Sequence, residues 1–340
     1  MTLAVDAPTV AKSQAADAAT LDRTVPADVE PLITIVIAAH NVGDFLGSTI
    51  ASVLQQTLPE LALVVVLDRC TDNSLAVARS FASDPRTTIV EAEAGGVSAA
   101  RNIGLEVVKS PYVLFLDGDD LLAPDALETF LAAFRAEPEA IAVVGGHSKI
   151  DEAGRLIDGE TAADRPAFGV GDALGQLLAR NLIVNGGAIA MRTAAARETG
   201  GYDPRIAIAE DWDFWCRLAL LGDFATLGQH PVLLYRQRRR SAFSQHGLAS
   251  AALDAKAIDK VFNLPAVEAR IPPRERARLQ RNAAIDYFWA TARAALYGGN
   301  EKRFAQLVLI GLWRFPDSLF KGFLVRFLWR KSLGRLLTAG

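Results

Sequence analysis

Four short polar runs carry side chains able to do chemistry. The first, Asp117-Gly118-Asp119-Asp120, follows the apolar run PYVLFL at 111–116. In extended chain, residues i and i+2 point the same way, so Asp117 and Asp119 are expected to project from one side. Two hard carboxylates around a glycine suit Mg2+ or Mn2+, which keep waters and take phosphate oxygens as further ligands. Such an ion would neutralise a departing diphosphate. The same acids equally suit a strand-to-helix loop capping a helix that starts near Pro124. The second feature is Asp68, which closes LALVVVL at 61–67. Its carboxylate could accept from the N–H edge of a base such as uracil, or cap a helix. The third is Gly95-Gly96-Val97-Ser98-Ala99-Ala100-Arg101-Asn102-Ile103-Gly104. Its glycines let backbone approach a ligand, and Arg101 at a helix start offers positive potential to phosphates. An ordinary glycine turn before an amphipathic helix is the plain alternative. The fourth, Glu210-Asp211-Trp212-Asp213, opens a helix running on through Trp215 and Leu221. Acids are favoured there by the helix dipole, and one of them could be the base that a hydroxyl attack needs. Cys70 and Cys216 lack metal-ligand spacing, and His147 and His230 have no chemical neighbours in sequence.

The surrounding pattern says what must hold these residues. LITIVIA at 32–38, LALVVVL at 61–67, a run at 87–91 and PYVLFL at 111–116 are too short for helices and suit buried strands. Helical patterns separate them, at about 44–56, from Thr71-Asp72-Asn73-Ser74 to about 82, and at about 97–108. Strands and helices alternating at this spacing make right-handed βαβ units: an α/β fold with a doubly wound, mostly parallel sheet flanked by helices. Ligands bind beyond the carboxyl ends of such strands, at His40, Asp68, Gly95-Gly96 and the run from Asp117. Further strands are expected at 140–145, 186–191, 224–227 and 231–235. From about 249 the chain reads as helix, broken at Pro272-Pro273, Gly298-Gly299 and Pro316.

Composition narrows the class. A length of 340 residues suggests about two domains. Hydrophobic residues make up 51%, yet no apolar run reaches the length of a spanning helix. The net charge of −3 argues against a nucleic-acid partner. Two cysteines are too few for a disulfide framework, which points to a reducing, cytoplasmic setting. Residues 1–30 lack a secretory signal pattern and read as a disordered tail.

Taken in order, four blocks resemble the family-2 glycosyltransferases of the GT-A fold: ITIVIAAHNVGDFLGSTIASVLQQT, VVVLDRCTDNS, GGVSAARNIGLEVVKSPYVLFLDGDD and VNGGAIAMRTAAARETGGYDPRIAIAEDWDFWCRLALLG. The resemblance spans about 32–245. It implies a glycosyltransferase domain over 31–245, with a nucleotide-sugar half to residue 120 and an acceptor half from 121, and a helical region over 246–340. It implies inverting transfer from a nucleotide diphosphate sugar, UDP-linked, to a hydroxyl of a glycan or lipid-linked acceptor in polysaccharide or glycoconjugate synthesis. By the same resemblance, Ala38, His40, Asp68, Arg101, Asp117 and Gly118 line the nucleotide sugar. Asp119, with Asp117, holds Mn2+ or Mg2+ as the D-x-D pair. Asp211 is the base, and Glu210 and Trp212 shape the acceptor side. His40 replaces a common tyrosine, Leu67 a common aspartate and Arg238 a frequent histidine. Arg236, Arg238 and Arg239 are then candidates for the pyrophosphate, with a basic surface loop as the plain alternative. The glutamine-x-x-arginine-tryptophan motif of processive synthases is absent, which favours one sugar per encounter.

Residues 301–340 carry eight basic and two acidic side chains, a net +6 that leaves −9 for residues 1–300. Seven aromatics are interleaved with these bases, the composition of a helix lying in a lipid headgroup layer. Peripheral attachment at the cytoplasmic face of a membrane is the expectation, with packing of these helices on the catalytic domain as the alternative. Two rival functions are weighed: a nucleotidyltransferase acting on a nucleoside triphosphate, and a non-catalytic glycan-binding protein. The chain lacks a glycine-rich basic triphosphate loop after the first strand and has no Walker or G-x-G-x-x-G pattern.

Overall fold

The computed structural model describes residues 30–157, 168–238, 255–297 and 299–316. Strands β1 (Ile33–Ala39), β2 (Leu61–Asp68), β3 (Thr87–Ala92) and β4 (Tyr112–Asp117) alternate with helices α1 (Gly43–Leu54), α2 (Ser74–Arg79) and α3 (Val97–Val107). The strands pair in parallel in the order β3-β2-β1-β4. Ile33, Ile35, Val36 and Ile37 are all fully buried, although successive side chains leave opposite faces of the sheet. Both faces are therefore covered, which is why β1 reads as a continuous apolar run. In register, Ala38 lies opposite Asp117 of β4 and Val66 of β2. The polar residues that end these strands consequently share one edge of the sheet.

Past β4 come β5 (Leu121–Leu122), α4 (Ala126–Ala136), β6 (Ala142–Ile150), α5 (Ala173–Ala179), β7 (Ile189–Arg192), α6 (Thr193–Glu198), α7 (Glu210–Leu218) and β8 (Phe224–Arg236). Strand β7 runs antiparallel between β4 and β6, β8 is parallel to β6, and β5 is antiparallel to β8. The eight-stranded order is β3-β2-β1-β4-β7-β6-β8-β5. The two strands expected at 224–227 and 231–235 are one strand. Gly228 takes a left-handed φ of 61°, and the β6–β8 register shifts on both sides of Gly146. A Cβ on Gly146 would lie 2.5 Å from the Gln229 carbonyl oxygen, so glycine there lets the irregularity pass without ending the strand.

The helical C-terminal region forms α8 (Ala255–Phe262), α9 (Pro265–Arg270), α10 (Pro273–Tyr297) and α11 (Glu301–Arg314), with the expected break at Pro272-Pro273. Ala257, Ile258, Val261, Phe262, Val267 and Ala283 belong to the same core as the sheet. The second half of α10 and α11 form a separate small core around Phe288, Trp289, Phe304, Leu307 and Phe315. Among the described residues no helix is long and apolar enough to cross a membrane. The tail expected at the N-terminus, apart from Glu30, and residues 317–340 lie outside the described residues.

Gly104 sets the distance between α3 and β1, because a Cβ there would stand 2.2 Å from Val36 Cγ1. Gly104→Ala is expected to lower stability by about 1–3 kcal/mol through overpacking. Urea unfolding measures this, and adding Val36→Ala should cost less than the sum of the two single changes.

Candidate active site

The site lies where β1, β2 and β4 end. Each strand stops at a polar residue, and each of those residues is tied to a different loop. His40 follows β1, and its Nδ1 lies 2.6 Å from the Asp68 carbonyl oxygen. A carbonyl only accepts, so Nδ1 carries the proton and Nε2 is left as an acceptor on an exposed ring. Asn41, in the left-handed region at φ 51°, uses its side-chain oxygen to receive the Thr71 and Asp72 amides. The loops after β1 and β2 are thereby joined.

Asp68 is buried, and its two carboxylate oxygens accept from the Gly95 and Gly96 amides at 3.1 and 2.7 Å. It caps no helix. Its negative charge instead pins the glycine turn that precedes α3, and Asp72 receives the Ser74 and Gly43 amides. Ala38 is half-buried on β1, opposite Asp117. Gly118 fits because a Cβ would come within 2.9 Å of Val42, and its carbonyl accepts from Thr49 Oγ1.

Arg101 was expected to face phosphates, but the structure turns it inward. It is 3% exposed and meets three carboxylates: Asp117 at 2.6 Å, Asp211 at 2.9 Å and Glu210 at 3.4 Å. Its guanidinium lies 4.8 Å from the centre of the Tyr202 ring. One cation thus faces three acids and joins the end of β4 to the N-terminus of α7. Burial works against a charged Asp211, and Glu210 and Asp117 add repulsion. Even with Arg101 opposing them, its carboxyl is pushed up to about 7. Burial likewise raises Glu210.

Strand β4 ends at Asp117, where a turn closed by the Asp120 amide on the Asp117 carbonyl begins. The alternation that would place Asp117 and Asp119 on one side therefore stops before Asp119. Asp117 uses one oxygen on Arg101 and the other on Asn185 Nδ2, whereas Asp119 pairs with Arg238 at 2.5 Å. Asp120 is buried between Asn185 Nδ2 and the Arg236 amide, and burial holds its carboxyl well above the usual range. Burial, then the charge on Asp117, also raises Asp119. Arg236 and Arg238 both lie over the Phe45 ring, at 5.1 and 4.9 Å. Arg239 lies outside the described residues.

Among the described residues no group of three or more His, Cys, Asp or Glu side chains is arranged to hold a metal ion. A Mg2+ or Mn2+ bound chiefly through a diphosphate needs only one or two protein carboxylates. Asp119, one-fifth exposed beside Asp117 in a site with more acids than cations, fits that requirement.

Trp212 is a buried support: its Nε1 donates to the Leu177 carbonyl, and its ring packs near Phe262 and Tyr287. Asn185 and Tyr202 escaped the sequence reading. The Asn185-Gly186-Gly187 run in an apolar stretch was a usable signal for the first. Tyr202 gave none, since only the fold brings its ring to Arg101.

The sequence model of the family described as Glycosyl transferase family 2 matches residues 34–199. Over 200 residues the chain is 28% identical to the chondroitin synthase of Pasteurella multocida strain Pm70, covering 58% of this chain and 20% of that protein. It is 27% identical over 215 residues to an Escherichia coli chondroitin synthase, covering 63% and 29%. The chain therefore spans less than a third of the length of either relative. The fold is similar to S. aureus TarS 1–349 in complex with UDP-GlcNAc, with 16% identity, a TM-score of 0.54 and coverage of 85% of this chain and 92% of that one. It is also similar to the mannosyltransferase PcManGT from Pyrobaculum calidifontis in complex with GDP-Man and Mn2+, with 17% identity, a TM-score of 0.56 and coverage of 88% and 84%. The fold is that of the GT-A glycosyltransferases. The match to glycosyltransferase family 2 covers residues 34–199, just under half of the chain.

Removing Arg101 leaves three partly buried acids facing one another. Arg101→Met is expected to destabilise the fold by about 3–5 kcal/mol, the usual result of breaking a buried ion pair from one side. Denaturant unfolding at pH 7.5 checks this.

Proposed function

We propose that this chain catalyses inverting transfer of a sugar from a nucleotide diphosphate sugar, UDP-linked, to a hydroxyl of a glycan or lipid-linked acceptor during cell-surface polysaccharide or glycoconjugate synthesis. The observation that carries the reading is Asp211. It is a carboxylate at the N-terminus of α7, partly buried and pushed up to about 7, and held by Arg101 against the strand end that carries Asp117. A base of that strength accepts a hydroxyl proton better than an ordinary carboxylate does, yet is still ionised in half or more of the molecules at or above neutral pH. The names of the curated relatives support a polysaccharide product, and the ligands named for the structural neighbours support a nucleotide-sugar donor.

In the proposed step the acceptor oxygen attacks the anomeric carbon as Asp211 takes its proton. The bond from that carbon to the diphosphate oxygen breaks, and its electron pair leaves with the diphosphate. One direct displacement inverts the anomeric centre. Ala38, His40, Asp68 and Gly118, at the ends of β1, β2 and β4, form the floor for the nucleotide. His40 presents its ring to the base. Asp119 would hold the divalent ion, with Asp117 behind it contributing charge; when bound, the ion supplies Lewis-acid neutralisation of the leaving diphosphate. Glu210 borders the acceptor side, and Trp212 backs it.

In a panel of nucleotide sugars assayed with Mn2+, the expected product is a nucleoside diphosphate; pyrophosphate from a nucleoside triphosphate would indicate a nucleotidyltransferase instead. Asp211→Asn should slow turnover by about 10²–10⁴-fold with the fold intact. In the wild type, kcat/KM should fall as pH drops below about 7, because the base is then protonated. Near-wild-type turnover by Asp211→Asn would remove it as the base.

The C-terminal helices are proposed to rest on the cytoplasmic face of a membrane. On α11, Leu309, Ile310 and Trp313 are 69%, 43% and 85% exposed on one helix face, and Lys302 lies on the same face a turn or more away. The basic, aromatic segment that follows, 317–340, lies outside the described residues. Flotation with anionic vesicles should carry the wild type upward and leave Leu309→Ser/Trp313→Ser in the load fraction. Equal flotation of both would rule out this face as the contact.

A further inference from the structure

Helix α7 delivers Asp211, yet its N-cap residue offers no side-chain hydrogen bond to hold it. The residue before it, Ala209, takes a left-handed φ of 64°, and no side chain caps the helix. Its first turn carries Glu210, Asp211 and Asp213, three acids that repel one another. Arg101 holds Glu210 and Asp211 on one face. Asp213 stands about 200° further round the helix from Asp211, at roughly 100° per residue, and needs a different partner.

That partner comes from the C-terminal region. Lys260 of α8 places Nζ 2.9 Å from Asp213 Oδ1 and 2.8 Å from Asp203 Oδ2. Asp213 is fully buried and Asp203 is 8% exposed. Arg217 also meets Asp213, at 2.7 Å, but it sits one turn along the same helix; its outward tie is to the Thr199 carbonyl. Arg205, mostly exposed, pairs with Asp203, and among the described residues no ion pair ties it to α8. Lys260 is thus the cation that joins both acids to α8. These acids bracket the catalytic segment: Asp203 follows Tyr202, the ring beside Arg101, and Asp213 follows Asp211 and Trp212. Phe262, two residues after Lys260, packs near Trp212 with ring centres 6.2 Å apart.

We propose that Lys260 is a positioning residue for the transfer reaction. It clamps the Tyr202–Asp213 segment to α8 and fixes Asp211 from the side opposite Arg101, which makes the C-terminal helices part of the catalytic unit. This rests on the reading of Asp211 as the base. Donor contacts come from the ends of β1, β2 and β4, so the clamp governs turnover and leaves donor affinity alone.

The test compares Lys260→Met and Lys260→Arg in the full chain. Lys260→Met should lower kcat at least tenfold, keep the donor KM within twofold, and bind UDP by calorimetry with unchanged stoichiometry. Lys260→Arg should recover kcat to within threefold, since a longer cation still spans both acids. A kcat for Lys260→Met within twofold of wild type, a matching loss of UDP sites, or no recovery by arginine would each overturn the proposal. Amide hydrogen exchange reads the clamp without any turnover and stays informative if no nucleotide sugar is consumed. Exchange at Asp213–Leu218 should quicken at least tenfold in Lys260→Met, with β1, β2 and β4 unchanged. Unaltered exchange in α7 overturns the clamp. Should Lys260→Met not fold, Asp203→Asn releases one arm and should quicken α7 exchange to a smaller degree; no change there overturns the clamp equally.

Discussion

The site depends on one buried cation. Arg101 sits on α3, behind the sheet edge, and its guanidinium holds Asp117 of β4 together with Glu210 and Asp211 of α7. Without that charge, three acids would be forced together in a poorly solvated space, where each is far costlier than in water. With it, they converge on one edge of the sheet. The charge is also insufficient: one guanidinium against three carboxylates leaves a local excess of negative charge. That excess helps push Asp211 up to about 7, after burial, which is the first cause. Asp119, where a divalent ion is proposed, lies close enough to Asp117 to be raised by its charge. The same electrostatic imbalance therefore supports both a stronger base and an attraction for metal.

The first half of the fold was legible in the sequence because its signals are local. Strands β1, β2 and β4 are β-branched or aromatic runs that stop at His40, Asp68 and Asp117, and parallel pairing follows from the helices between them. The continuity of β8 was not legible. Gly228-Gln229-His230 looks like a turn, and only the matching glycine at 146 on β6 allows the strand to continue.

For the site, the residue types were readable but their partners were not. Arg101 and Asp211 are 110 positions apart, and Asp119 and Arg238 are 119 apart. Nothing in local spacing says that Arg101 faces acids instead of phosphates, or that Asp68 spends its oxygens on Gly95 and Gly96. Local spacing also gives no sign of where the core of the sheet ends. Ala257, Ile258, Val261, Phe262 and Val267 complete the core of the sheet, and only the later helices form a core of their own. The apolar excess of the composition divides accordingly between buried strands, shared helices and the exposed face of α11.

Arg101 is proposed to serve the reaction through Asp211. A double-mutant cycle on kcat/KM, built from Arg101→Lys, Asp211→Asn and the double variant, tests it most directly, because lysine keeps the charge but loses the fork that reaches both elements. Strong non-additivity is expected: Arg101→Lys should slow Asp211→Asn far less than it slows the wild type, because the main task proposed for Arg101 is lost with the proposed base and only its ties to Asp117 and Glu210 remain. Losses that multiply independently would contradict it.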